Sequence, residues 1–463
     1  MIGRVRVAAF AERPDDEALD RVIAIRPDPV RLGLDTPVAD ADRLRGKLKS
    51  VFISSFQIRR AIRRLLDHGR SHAERTFGSD EGFVKGLYQI DPWLQSSEQA
   101  VCITGLAGVG KSELLYAIRR LICNGDLEHS IGDYGPWPLK PLWNVTLKDG
   151  VGLAAMFSEH LGLELAGHEL VDDSGMLDTN TDGNKRIPPR RVLQLARRLS
   201  WREATALLWA DEMQFITHGN ANAKATAVLL QLMTIGPRLV FCSNYSMLHG
   251  LMHRNQQDTQ RLLANPIILH PDVAGSQDWC GYLAELQRVA PAALTFDVGV
   301  LQDMIHELTY GIRRLVVQLL SVAYERARQR GRQTVKVDDI HEAYRSDSYL
   351  YARKDIEILQ RQDIEGRMVR ADLWCPFDSE VPGAGNSEVV TLASAVKEFE
   401  ARVESDLLMA SLLPRQASAV RDLSPSPRNV EGTAELGQKV VRIRRKKTTK
   451  ESLVNAVRRF EEQ

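Results

Sequence analysis

The chain is 463 residues long, 44% hydrophobic, and carries 61 Lys and Arg against 60 Asp and Glu. That length exceeds one compact core and implies two or three folding units, while the near-cancelling charge excludes a global field of the kind that marks nucleic-acid or membrane proteins, so any such surface must be local. Five scattered cysteines with no Cys-x-x-Cys pair argue against a disulfide framework or a zinc site; an N-terminus without an apolar signal core, and no apolar run of about 18 residues, predict a soluble cytoplasmic protein with no membrane partner.

Residues 1–80 read as an N-terminal extension, in which Arg59, Arg60, Arg63 and Arg64 alternate with Ile58, Ile62, Leu65 and Leu66. That is the pattern of a basic amphipathic helix packed on a core. The next block, 81–275, opens with an apolar run at 100–104, followed by Gly-Leu-Ala-Gly-Val-Gly-Lys-Ser at 105–112. Beyond it Leu114, Leu115, Ile118, Leu121 and Ile122 recur at helical spacing. Strand, glycine-rich turn and helix form the context that a phosphate-binding loop requires. Gly105, Gly108 and Gly110 let backbone N–H groups approach a polyphosphate, Lys111 places a mobile cation on its β- and γ-phosphates, and Ser112 offers a hydroxyl to Mg²⁺. Val109 and Glu113 complete the nucleotide-binding stretch, and the helix aims its positive end at the same charge. The implied ligands are ATP and Mg²⁺.

A triphosphate site needs an acidic element at the end of a buried strand. Residues 206–212 read Ala-Leu-Leu-Trp-Ala-Asp-Glu, preceded by a helical stripe of Val192, Leu195, Ala196 and Leu199. Asp211 is assigned to the metal and Glu212 to the general base that polarises water. The apolar run at 239–243 ends at Asn244, a sensor position able to orient water or touch the γ-phosphate, although Asn at a strand end is also a turn former. Strands at 100–104, 141–147, 205–210 and 239–243 alternating with helices predict an α/β fold, a parallel sheet with right-handed crossovers. Asp-Thr-Asn-Thr-Asp-Gly at 178–183 imitates the opening of a calcium loop, but its twelfth position is Pro189 where a bidentate Glu is required, so calcium is rejected and a mobile loop is expected. Lys148, Lys185, Arg186, Arg190 and Arg191 are local basic residues around that insertion.

Residues 276–350 change to helical spacing, with Leu283, Leu286 and Val289 in one helix, Val300, Leu301, Met304, Ile305 and Leu308 in the next, and Tyr-Gly-Ile-Arg-Arg-Leu at 310–315 opening a third. Residues 334–340 read as a short extended segment and a capped helix start. The extension 351–463 holds a helix around 389–413, a Pro- and Ser-bearing linker at 414–438, a basic run at 439–450 with seven Lys or Arg in twelve residues, and a final short helix at 452–460. Such a tail suits nucleic acid or an acidic partner.

With these motifs in this order the chain resembles the AAA+ ATPases, in which an α/β nucleotide domain is followed by a small helical lid. The resemblance implies that Gly311 and Arg314 supply a Gly-x-x-Arg second sensor, with Arg313 as the neighbouring candidate, and that Arg254 or Arg261 completes the site of an adjoining subunit. A narrower resemblance lies in residues 253–269, the Asp-Glu-Met-Gln box at 211–214 and the stretch at 310–314, which are similar to TnsC, the AAA+ regulator of Tns-type cut-and-paste transposons related to the TniB proteins. It covers roughly residues 80–350. It implies an ATPase that assembles with copies of itself, as a ring or helical filament, on double-stranded target DNA. The assembly would link a target-selection protein of the TniQ or TnsD kind to transposase subunits. Loops bearing Lys148, Lys185, Arg186, Arg190 and Arg191 would then face the duplex and bind its phosphates. Two rival readings are a replication initiator or helicase loader, which predicts a terminal winged-helix domain, and a nucleotide-switched scaffold with little hydrolysis.

Overall fold

A computed structural model describes residues 3–11, 13–89, 99–123, 125, 127–131, 134–146, 157–161, 189–211 and 221–377. Five helices precede the first strand: α1 (Gly3–Ala8), α2 (Asp16–Ile23), α3 (Pro37–Lys49), α4 (Phe56–Phe77) and α5 (Asp80–Tyr88). Four of them begin at a side chain that satisfies a helix-terminal N–H: Asp15 accepts from Ala18, Thr36 from Ala39, Ser55 from Ile58 and Ser79 from Gly82. α4 is the expected amphipathic helix, with Ile58, Ala61, Ile62, Leu65 and Leu66 buried and Arg60, Arg63 and Arg64 exposed. Arg59 turns inward, donates to the Ser54 carbonyl at 2.9 Å and lies within ion-pair reach of Asp16, Asp20 and Asp278.

The sheet follows as β1 (Val101–Gly105), α6 (Lys111–Ile122), a hairpin of β2 (Glu128–Ile131) and β3 (Tyr134–Pro138), β4 (Leu142–Thr146), α7 (Ser158–Leu161), α8 (Pro189–Arg202) and β5 (Leu207–Asp211). It continues with α9 (Ala221–Met233), β6 (Arg238–Ser243), α10 (Tyr245–Met252), α11 (Gln256–Leu263) and β7 (Asn265–Leu269). Its order is β4-β5-β6-β1-β7, every neighbouring pair parallel. All five residues of β1 are buried, as are Trp143 of β4 and Trp209 of β5, because helices cover both faces of a parallel sheet and its strands become continuous apolar runs. The structure therefore contains the four expected strands in one α/β sheet. It adds β7, whose Asn-Pro opening hides the strand signal; Pro266, which has no N–H to donate, is accommodated because β7 is an edge strand. The β2–β3 hairpin was not expected either, since Tyr-Gly-Pro-Trp-Pro reads as a turn.

The helices after the sheet are α12 (Gln277–Val289), α13 (Val298–Glu307), α14 (Arg313–Gln329), α15 (Val337–Arg345) and α16 (Leu350–Glu365). α12 is capped by Ser276 and α13 by Asp297, and the Asp339 carboxylate accepts the Lys336 N–H at 2.9 Å at the start of α15. The segment before α15 is not a strand; Val335 instead donates its N–H to the Ala293 carbonyl. The segment before β1 makes contacts with both the sheet and the helices that follow it. The Val30 N–H reaches the Val289 carbonyl at 2.8 Å, Arg26 pairs with buried Glu285 at 3.0 Å, and Gln57 exchanges two hydrogen bonds with the His270 backbone. Among the described residues no helix is long and apolar enough to cross a membrane.

Candidate functional site

The strand order reverses direction at β1, which has β6 on one side and β7 on the other. In an open parallel sheet such a reversal leaves a crevice beyond the carboxyl ends of the strands, where ligands bind. Residues 105–112 occupy that place. Gly105 closes β1, Gly110 takes the left-handed conformation (φ 106°) at the N-terminus of α6, and a side chain added at Gly110 would meet no atom within 4 Å. The Lys111 ammonium donates to the carbonyls of Gly105 at 2.7 Å and Leu106 at 2.9 Å, while Val109 is buried beneath the turn and Ser112 is half-buried. A glycine-rich turn at the N-terminus of a helix, with a lysine folded onto its carbonyls, fits a polyphosphate.

The loop is closed on its other side by the lid. Gly108 has φ 94°, and a Cβ there would lie 2.7 Å from the Cβ of Arg314 and 2.9 Å from its Nε. The Arg314 N–H points to the Gly108 carbonyl at 3.4 Å. A turn with Tyr310 at φ 54° and Gly311 at φ 65° delivers Arg314 to this position; a Cβ on Gly311 would strike the Asp272 carbonyl at 2.1 Å, so the turn demands glycine. The two adjacent arginines therefore part company. Arg314 is exposed beside the loop, whereas Arg313 holds the Asp272 carboxylate in a fork at 2.6 and 3.2 Å, donates to the Ile53 carbonyl at 2.6 Å and lies 4.7 Å over the Tyr282 ring. Burial works against the Arg313 charge and the Asp272 carboxylate outweighs it, raising its pKa above the ordinary guanidinium value. Arg313 ties lid, sheet and N-terminal segment together. Asp272 and the Ile53 carbonyl, its two partners, carry no motif and were not singled out from sequence.

Asp211 ends β5 and lies against the Cys242 thiol of β6; burial and then the Asp211 charge push that thiol well above its usual range, with the Lys111 ammonium opposing them. Asp211, Cys242 and Lys111 thus converge behind the loop, which brings one candidate metal ligand to the same end of the sheet as Ser112. Asn244 follows β6 and caps α10, its Oδ1 accepting the Met247 N–H at 2.9 Å. Glu113 lines a cleft of about 910 Å³ along α6 together with Lys49, Tyr116, Arg119 and Arg120; burial raises its pKa against the pull of Arg120 and Lys49.

The other predicted residues lie apart. Arg254, between α10 and α11, and Arg261, in α11, are both exposed; the Arg261 carbonyl accepts the Ala100 N–H at 2.9 Å, which puts it at the amino end of β1, across the sheet from the phosphate loop of its own chain. Arg191 is exposed in the first turn of α8, and Arg190 precedes it in the same helix. Glu212, Lys148, Lys185 and Arg186 lie outside the described residues, as do the calcium-like segment at 178–183 and the basic run at 439–450.

No protein-family model matches the chain, and no curated protein matches it. Among solved structures it is similar to Cdc6p from Pyrobaculum aerophilum, at 14% identity and a TM-score of 0.37, covering 62% of this chain and 77% of that one. It is similar also to the Aeropyrum pernix ORC1 protein in complex with DNA, at 16% identity and a TM-score of 0.36 over 74% of this chain and 81% of that one. The Aeropyrum pernix ORC2 protein in its ADPNP–ADP complexes is a third, at 14% identity and 0.34, covering 62% and 74%. The α/β description of this chain rests on its own strand order.

Proposed function

We propose that the chain is an ATP-hydrolysing switch of the AAA+ kind that assembles with copies of itself on duplex DNA and regulates transposition, standing between a target-selection protein and the transposase. The observation that carries the switch is the contact of Arg314 with Gly108: a lid arginine rests on the apex of a glycine-rich cradle, so a triphosphate entering the cradle touches loop and lid at once. Ser112 and Asp211 would hold Mg²⁺, which supplies charge neutralisation on the phosphates when bound. Lys111 orients the β- and γ-phosphates, Glu212 polarises water, and Asn244 orients it. Arg254 or Arg261, both exposed and the latter at the amino end of β1, is suited to a neighbour's nucleotide, and a site completed in that way requires head-to-tail stacking that closes as a ring or continues as a helix. The transposition reading is supported by the TnsC-like wording at 253–269, 211–214 and 310–314.

Electron microscopy with a non-hydrolysable ATP analogue and a generic duplex tests the assembly: rings or filaments are expected, and free subunits overturn it. Lys111→Ala should abolish nucleotide-dependent assembly. Glu212→Gln should assemble while its ATP turnover falls on the order of a hundredfold, the scale of lost general-base catalysis. Wild-type turnover that ignores DNA would favour a scaffold over a DNA-governed switch.

A further inference from the structure

The turn that carries Arg314 to the phosphate loop is held by α16, which begins where the C-terminal extension was expected to start. α16 and the short turn before it reach residues 307–315 at four points. The Gln360 amide donates to the Glu307 carbonyl at 3.0 Å, and the Tyr349 hydroxyl lies 3.1 Å from the Leu308 carbonyl and 3.4 Å from that of Leu315. The fourth contact is the Tyr310 hydroxyl, which donates to the Asp363 carboxylate. Gln360 and Asp363 are three residues apart and share one face of α16. The other contacts end on backbone carbonyls, which any residue supplies, whereas the Tyr310–Asp363 bond needs a particular side chain at each end. α16 is itself anchored. Buried Gln362 accepts the N–H groups of Val369 at 3.0 Å and Arg370 at 2.9 Å and donates to the Leu373 carbonyl at 3.1 Å, and the next carbonyl, of Trp374, is 3.1 Å from His249 Nε2 on α10. α10 is the helix that Asn244 caps, so α16 is tied to the sheet at the end of β6.

Tyr310 sits where its residue type is disfavoured. Among the described residues only Ala204 and Tyr310 take a positive φ without being glycine, and at φ 54° a bulky side chain costs free energy that glycine or asparagine would not. Such a residue persists where its surroundings over-determine it. Here the backbone of the following residue, Gly311, is packed against the Asp272 carbonyl, and the ring of Tyr310 spans from the turn to α16. Arg314 lies one helical turn further on, with its N–H directed at the Gly108 carbonyl. We propose that Asp363 is a positioning residue for the nucleotide site: by accepting the Tyr310 hydroxyl it holds the Tyr310–Gly311 turn in the conformation that sets Arg314 on Gly108. The proposal rests on the ATP-switch reading above and adds a control point to it. Asp363 touches no nucleotide; it acts through Tyr310 and the turn. Because Asp363 is exposed, its bond contributes little to folding, and its effect falls on where Arg314 stands.

The test is a double-mutant cycle, read by titrating a fluorescent ATP analogue into the full chain for wild type, Tyr310→Phe, Arg314→Ala and the two combined. Tyr310→Phe keeps the ring and removes only the hydroxyl, and thermal melts verify that every variant is folded. Tyr310→Phe should weaken binding about fivefold, the scale of one hydrogen bond's net contribution. Added to Arg314→Ala it should weaken binding no further, since an effect that passes through Arg314 disappears with it. Asp363→Ala should match Tyr310→Phe, whereas Asp363→Asn, which keeps an acceptor oxygen, should recover most of the lost affinity. An equal loss from Tyr310→Phe with and without Arg314 overturns the proposal in favour of general support of the lid. Wild-type affinity in both Tyr310→Phe and Asp363→Ala overturns it too, and leaves the ATP reading standing. Wild type that binds no analogue overturns both.

Discussion

The two edges of one sheet carry charge by different means. At the carboxyl edge the turn is built by the backbone: Gly108 and Gly110 sit at positive φ, and one lysine, Lys111, supplies the cation. At the amino edge the charge comes from side chains, with Arg64, Arg75 and Arg238 brought near one another from a helix and a strand. A backbone cradle tolerates little change because every atom is placed by neighbours, whereas a set of exposed arginines loses its members one by one. The difference teaches where this protein should be fragile and where it should be graded.

The neighbouring arginines of the lid give the sharpest contrast. Arg313→Ala leaves the buried Asp272 carboxylate without its fork and frees the Ile53 carbonyl, so thermal or denaturant unfolding should show a loss of about 3–5 kcal/mol. Arg314→Ala should change stability by no more than about 0.5 kcal/mol, since the side chain is exposed, while lowering ATP turnover. Equal destabilisation by the two would erase the distinction between tie and sensor.

Gly108→Ala comes next. It imposes a left-handed residue and pushes a methyl group into Arg314, so a cost of about 1–2 kcal/mol is expected from the conformation alone, and a larger fall in ATP affinity, measured by calorimetry. Pairing it with Arg314→Gly tests the contact directly: relief of the steric part should restore some affinity, and no relief would mean that the lid does not press on the loop.

The smallest effect concerns acid. Burial, then Arg238 and Arg64, pulls the His68 pKa down to about 4, with Asp67 opposing; burial, then Arg75 and Arg238, pulls His72 down to about 3. Both histidines bind a proton more readily unfolded, at about 6.5, than folded. Their contribution is therefore fully present above pH 6.5 and is lost as pH falls from there toward 4. The melting temperature should drop across that window, and His68→Gln should flatten the drop. A profile unchanged by the substitution would show that burial in the fold does not depress the His68 pKa.

Much of this molecule is written locally. A phosphate loop must follow a strand and open a helix, so Gly105, Gly108, Gly110, Lys111 and Ser112 stood out from spacing, as did the three inner strands, whose burial on both faces leaves unbroken apolar runs, and the edge strand β4. The Asp211 position was legible for the same reason. β7 was not, because Asn-Pro looks like a turn until an edge strand accommodates the proline.

Which arginine does what lay beyond any local pattern. Arg313 and Arg314 are identical in chemistry and adjacent in sequence, and they are told apart by Asp272 and Ile53, 41 and 260 residues away. The basic stripe of α4 read correctly as a packed amphipathic helix, yet only the fold sets it beside Arg238, which arrives by way of β6. Periodicity and glycine spacing follow from forces acting within a few residues, so a sequence displays them. Charge convergence and ion-pair choice depend on which distant segments the sheet brings to a common edge, and that is a property of the folded chain.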